Sequence, residues 1–454
     1  MIKQAVRTRG VGCRGAVFGF MAVMLLFLAG PARAEDVQSV CLSMDIFSPV
    51  ERPFFEDLAD GTLADYDYYD AFLIASGIVD RRFSLYRQRI RSLRNRCLAG
   101  VDKTAAPYDR GKALLIWLHD NALRTYAEKS NLAGDLLDKG EFNCLSATIL
   151  YCLLGKDLGL SVSGVLTPGH TFCLVSDGER QVVVETTNRY GFDPGRVEEE
   201  PVEGGIRQVT VPRVDYTETT VVPLHGLMAL LYVNTLDLAT LVVGENETAC
   251  LPRFAKACLF DPGNDVFANN LSACLNNLAV SALEQDKPAA AMAYIQQGKA
   301  LGRSSFDDLD VQYYNQVAQQ KAGAGDYNGA IETLATALKN YPGDPVLDNN
   351  IAYYYGRWAD TFKARSDTGG VVRVYLAARQ MLPDSAPILE SLKTAFYNHA
   401  AAAYNRRDFD AARTVCQEAL GIFPDEPAFL EILKAIPANP PAWQWGQPPP
   451  APQQ

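Results

Sequence analysis

Three side chains define the chemistry open to this chain. Cys144 follows Gly140-Glu141-Phe142-Asn143 and opens a helical run. A helix N-terminus presents unpaired backbone N–H groups and a partial positive charge, and both favour the thiolate, the nucleophilic form of cysteine. His170 follows Pro168-Gly169 and starts a strand-like run to Val175. A second such run, Gln181 to Thr186, follows across Ser176-Asp177-Gly178-Glu179. Asp-Gly between apolar runs is a strong hairpin signal. With a tight turn there, Ser176 faces Glu179, Phe172 faces Val183 and His170 faces Glu185. Directly opposed residues share a face about 5 Å apart, so Glu185 is predicted to accept a hydrogen bond from one imidazole nitrogen. The other nitrogen is then free to act as a general base, and the carboxylate orients the ring. Cysteine, base and orienting acid together support acyl transfer. The backbone N–H of Cys144 is one expected oxyanion donor, and the Asn143 side chain is a candidate for the second.

The other members of these residue types read differently. The chain has four histidines. His119 sits in Trp117-Leu118-His119-Asp120 and reads as a boundary histidine, while His225 and His399 read as structural. Cys152 and Cys173 are expected to be core thiols or a disulfide pair. Disulfides between Cys41 and Cys97, and between Cys250 and Cys258, are further candidates. No C-x-x-C or H-E-x-x-H motif occurs, so neither a metal nor another cofactor is expected.

Elements must hold these groups in place. The chain has 454 residues, which implies more than one domain, and 48% apolar with 21% charged residues is ordinary globular composition. Residues 1–34 combine a basic start (Lys3, Arg7, Arg9, Arg14), an apolar run from Ala16 to Ala29, and Ala32-Arg33-Ala34, the pattern of a secretory signal. Its removal takes the formal net charge from -11 to -16. A chain this acidic is a poor nucleic-acid binder, and no later segment reaches the length of a membrane span. The expected location is periplasmic or secreted. Residues 35–142 look helical, with Leu114, Leu115, Leu118 and Leu123 near helical spacing. Residues 143–222 hold the short helix from Cys144 and the hairpin.

From 223 the chain repeats. Asp326-Tyr327-Asn328-Gly329-Ala330 aligns with Asp408-Phe409-Asp410-Ala411-Ala412, Tyr341 with Phe423 and Pro342 with Pro424, while Pro383 lies midway. Each unit reads as two helices with small Ala residues between them. The fourth unit looks irregular, because Ser366-Asp367-Thr368-Gly369-Gly370 interrupts the helix junction. The pattern resembles tetratricopeptide repeats with longer connections. Residues 436–454 form a Pro-rich tail carrying Trp443 and Trp445, expected to be extended.

Asn143-Cys144-Leu145-Ser146-Ala147, Leu153 to Leu160, Thr167-Pro168-Gly169-His170-Thr171-Phe172 and Val183-Val184-Glu185-Thr186-Thr187-Asn188 together resemble the transglutaminase-like core of the papain-like cysteine enzymes. The helical run from Tyr108 to Tyr126 resembles that family's lead-in. The resemblance implies Cys144 as nucleophile, His170 as base and Glu185 as orienting acid. The family's acid is usually Asp followed by Pro, whereas Glu185 is followed by Thr-Thr-Asn; Asp193 in Phe192-Asp193-Pro194 is the fallback. The expected architecture is an α+β papain/transglutaminase-like domain over 35–222, then an all-α helical-hairpin solenoid over 223–435. The expected function is an exported cysteine hydrolase or acyltransferase acting on an amide bond, with repeats that bind a protein or peptide partner. The alternative is a catalytically inactive scaffold of the same architecture.

Overall fold

A computed structural model of the protein describes residues 33–59, 63–178, 180–202, 205–216, 218–234 and 247–437. The expected signal and the Pro-rich tail lie almost wholly outside these residues. Five helices come first: α1 (Ala34–Ser43), α2 (Glu51–Ala59), α3 (Tyr68–Ala75), α4 (Phe83–Gly100) and α5 (Pro107–Asn121). Two short parallel strands, β1 (Thr125–Tyr126) and β2 (Glu141–Phe142), then flank α6 (Ala133–Lys139). Next comes α7 (Cys144–Asp157), followed by β3 (Val162–Thr167), β4 (His170–Asp177) and β5 (Arg180–Val184). The hairpin of β6 (Val197–Val202) and β7 (Gly205–Thr210) leads to β8 (Thr220–Val222). The main sheet is antiparallel with order β5-β4-β3-β8.

α7 is the axis of this α+β unit. All its residues from Leu145 to Gly155 are buried, since β4, β3 and α5 pack against it. Its sequence is apolar all round, as a helix enclosed on every side requires. The same holds for α8 (Leu224–Asn234), buried from Leu224 to Tyr232 except at His225. α8 packs against α3, α7 and β3, and α9 (Glu247–Phe260) packs against α1, α2 and α8. A cluster of Phe54, Phe55, Tyr232 and Phe260 rings, with centroids 5.1 to 6.4 Å apart, fills the space between them. Lys256 on α9 donates to Glu51 on α2 at 2.7 Å, both side chains nearly buried. The residues just after 223 therefore build the α+β unit, although the sequence pattern assigns them to the repeats. A helix with no polar face cannot serve as the amphipathic outer element of a repeat.

Helical hairpins follow: α10 (Asp265–Glu284), α11 (Pro288–Ala300), α12 (Asp307–Gly323), α13 (Tyr327–Asn340), α14 (Pro345–Lys363), α15 (Thr368–Met381), α16 (Ala386–Asn405), α17 (Phe409–Ile422) and α18 (Pro427–Ala435). The chain divides into one unit of residues 1–281 with 293–306, and a second of 282–292 with 307–454. In the second unit Ile331, Leu334, Leu347, Ile351, Tyr355, Leu392 and Phe396 form a continuous core. Its junctions recur at a spacing of 41 residues. Asp326, Asp367 and Asp408 cap α13, α15 and α17, each carboxylate accepting from the N–H three residues on. Each cap follows a residue with positive φ: Gly325, Ser366 and Arg407. The junction at 366–370, read from the sequence as irregular, is thus built like its neighbours. Its Gly-Gly pair is accommodated inside the helix start, with the Gly370 N–H bonded to the Asp367 carboxylate at 2.7 Å.

Cys41, Cys97, Cys144, Cys152, Cys173, Cys258 and Cys416 carry unbridged thiols. The pairings expected from sequence are absent. Cys41 lies against Cys258, not Cys97, because α1 packs on α9. Cys152 and Cys173 touch at 3.6 Å between α7 and β4.

Candidate active site

Cys144 is placed by three local devices. Gly140 ends α6 at φ +71, where a side chain would be strained and would meet Arg124 and the Ala122 carbonyl. β2 then runs beside β1. Asn143 caps α7: its side-chain oxygen accepts from the Leu145 and Ser146 N–H groups at 3.0 and 3.1 Å, and Ser146 Oγ accepts in return from the Asn143 N–H. This is a capping box, with Ser in the place of the usual Glu or Gln. The Asn143 amide nitrogen donates to the Glu128 carbonyl at 3.0 Å. The oxygen and one N–H of that amide are therefore committed to structure, which leaves its other N–H as the candidate second oxyanion donor. The N–H of Cys144, in the first turn, has no acceptor within its own helix.

His170 begins β4 after the Pro168-Gly169 turn, with Gly169 at φ +83 and Thr167 paired to His170. Pro followed by a positive-φ Gly is what a type II turn requires. Across the next turn the register differs from the expected one. Asp177 pairs with Arg180, Ser176 with Gln181, Leu174 with Val183 and Cys173 with Val184. The turn sits one residue later than the Asp-Gly pattern suggests, with Gly178 at φ +67. The pairing therefore slips by two residues. An even slip leaves every side chain on its expected face. Glu185 becomes a diagonal rather than a direct neighbour of His170, and both side chains are long enough to span that distance. The His170 Nε2–H donates to Glu185 Oε2 at 2.7 Å.

The bond to Glu185 leaves Nδ1 of the ring uncommitted, and Cys144 lies near enough to the imidazole to influence its protonation. Burial opposes protonation of His170, but the hydrogen bonds to Cys144 and Glu185 and their charges outweigh it and raise its pKa to about 9. Cys144 is half-buried, and the His170 side chain keeps 25% of its exposure against 11% for Glu185. Glu185 is enclosed while Cys144 and His170 remain accessible. The backbone around Glu185 is a closed loop: its N–H donates to the Gly191 carbonyl at 2.8 Å, and the Gly191 N–H donates to Asn188. A Cβ on Gly191 would overlap the Glu185 carbonyl.

Asp193 does not reach His170. Its carboxylate binds Arg196 at 2.7 Å and accepts from Tyr108 at 3.2 Å, with Arg180 at 3.6 Å. His119 is a boundary residue, as expected, with a specific attachment: its Nε2 bonds the Thr186 carbonyl at 3.0 Å, its ring meets Phe142 edge-on, and burial lowers its pKa.

Two residues escaped the sequence reading. Thr148, one turn after Cys144 and fully buried, has its hydroxyl 3.1 Å from the Thr186 hydroxyl and 3.4 Å from the Thr171 carbonyl. It ties the Cys144 helix to the residues directly after His170 and Glu185. Tyr216, between β7 and β8, donates to Glu185 Oε1 at 3.0 Å and stacks on His170 and Phe172.

No family model matches the chain, and no curated protein does. Among solved structures it is similar to a TPR repeats protein from Bacteroides fragilis, at 16% identity and TM-score 0.28, over 42% of this chain and 91% of that one. It is also similar to BtubC from P. vanneervenii, at 18% identity and TM-score 0.17, over 43% and 81%. A third likeness is to the APC/C hetero-tetramer Cut9-Hcn1, at 13% identity and TM-score 0.15, over 46% and 42%. At such scores these likenesses carry no argument, and the helical hairpins rest on the chain's own geometry.

Proposed function

We propose that this chain is an exported cysteine-dependent hydrolase or acyltransferase of transglutaminase-like type, acting on an amide bond, whose helical hairpins engage a protein or peptide partner. The observation that carries the proposal is the His170 imidazole held by the Glu185 carboxylate at 2.7 Å, beside Cys144 at the start of α7. A cationic imidazole beside the sulfur favours the thiolate–imidazolium pair. The thiolate attacks the amide carbonyl carbon, and the oxyanion forms beside the Cys144 N–H at the positive end of α7. His170 passes its Nδ1 proton to the leaving amine as the C–N bond breaks. It then takes a proton from water or from an acceptor amine, which attacks the thioester and releases Cys144. Glu185 stays ionised and holds the ring orientation.

The test is alkylation of the purified protein with iodoacetamide across pH, with the labelled cysteine mapped by mass spectrometry. Rapid labelling of Cys144 at pH 7 that slows by at least about tenfold in His170→Ala fits the catalytic contribution expected of a paired base. Equal rates in the two proteins would leave a scaffold without a nucleophile, and the search would turn to binding by the helical hairpins.

A further inference from the structure

We propose that Tyr216 is a positioning residue for the Cys144–His170 pair, acting through Glu185 and closing the outer side of the imidazole. This deepens the proposed function and rests on it. The argument starts from the carboxylate. Glu185 Oε2 accepts from His170 at 2.7 Å, and Oε1 accepts from the Tyr216 hydroxyl at 3.0 Å. With both oxygens held, the carboxylate cannot rotate without losing a bond, so the direction in which His170 points is set. The Tyr216 ring also stacks on His170, with centroids 5.8 Å apart and planes 27° apart, and on Phe172 at 5.0 Å and 20°. The imidazole is thereby confined from its face as well as from its Nε2 edge.

The origin of Tyr216 argues against a packing role alone. It comes from an extended segment in which Arg213, Val214 and Asp215 are exposed, and neither helix nor strand holds it there. Its specific attachments are to the three residues of the site wall. The titratable groups facing His170 are Cys144 from α7, Glu185 after β5 and Tyr216 itself. Burial and the neighbouring Glu185 charge raise the Tyr216 pKa, so the phenol stays a donor in the neutral range.

The experiment uses the whole protein with selectively labelled histidine, which gives four imidazoles to follow. Tyr216→Phe keeps the stacked ring and removes only the hydroxyl. Its expected effect is an alkylation rate of Cys144 at pH 7 lowered about three- to tenfold, the equivalent of one hydrogen bond. The His170 titration should move down from about 9, with the thermal midpoint little changed. In a Glu185→Ala background the same substitution should have no further effect, because the hydroxyl acts through that carboxylate. Unchanged rate and titration in Tyr216→Phe, with His170→Ala still slowing alkylation, overturns the role of Tyr216 and leaves the Cys–His pairing standing. A rate loss that persists in the Glu185→Ala background also overturns it. Alkylation indifferent to His170→Ala overturns the pairing, and the inference with it.

Discussion

Burial by itself would keep the His170 imidazole neutral; its interactions with Cys144 and Glu185 reverse that balance and raise the pKa to about 9. The consequence for pH has a definite sign. A group whose pKa is raised on folding adds stability that is complete below its ordinary value of 6.5 and fades as pH rises through about 9. The thermal midpoint of the wild type should exceed that of His170→Gln most at pH 6, with the gap closing by pH 10, as scanning calorimetry over that interval would record. Thr148 lends itself to an equally local test. Thr148→Val leaves the Thr171 carbonyl without its buried donor and the Thr186 hydroxyl without its acceptor, and should cost about 1 to 3 kcal/mol in urea unfolding. Thr148→Ser should restore most of it. At this scale His170 and Glu185 were legible because a hairpin repeats every two residues, so their shared face survives a slip of two. Thr148 was hidden because a threonine within an apolar helix reads as core. Tyr216 was hidden because its segment has no periodicity at all.

The elements around the site are held by their ends. α7 starts where it does because Asn143 satisfies two N–H groups that the helix leaves open. Asn143→Ala should destabilise the protein by about 1 kcal/mol. It should also slow Cys144 alkylation, since the sulfur sits on the first helical residue; Asn143→Asp, still a cap, should keep the stability. The loop after β5 depends on the missing side chain of Gly191 in the same way. Gly191→Ala pushes against the Glu185 carbonyl, so the expected result is loss of the His170 titration near 9, read by NMR of the imidazole. The start of α7 was readable from the sequence, since a polar cap precedes an apolar run. The turn at Gly178 was displaced by one residue, because an Asp-Gly pair marks a turn without saying which two residues form its corner. β3, the β6–β7 hairpin and β8 went unread. Glu198-Glu199-Glu200 in β6 lacks the alternation that marks a half-buried strand.

In the molecule as a whole, the α+β unit draws on residues far apart in sequence. Glu51 and Lys256 form a nearly buried ion pair between α2 and α9. Removing one partner strands the other charge, so Lys256→Met should cost about 3 to 5 kcal/mol in denaturant unfolding, against near neutrality when Glu51→Met is added. Composition and the repeat pattern disclosed a two-part chain, but they placed α8 and α9 in the wrong part. Local periodicity cannot tell a helix buried within an α+β unit from one stacked in an array, because that distinction lies in what packs around it. The hairpin half has a different logic. Asp326, Asp367 and Asp408 stand at equivalent points, each entered from a left-handed residue and each opening a helix. A stretch cut from one of these points to the next begins and ends on matching backbone angles, so the ends could be spliced without turning any helix face. This part of the gene could gain or lose coding segments in whole modules through unequal recombination, whereas the enclosed α7 of the other part permits no such edit. The length of this part can thus evolve in discrete steps while the surroundings of Cys144 and His170 stay untouched.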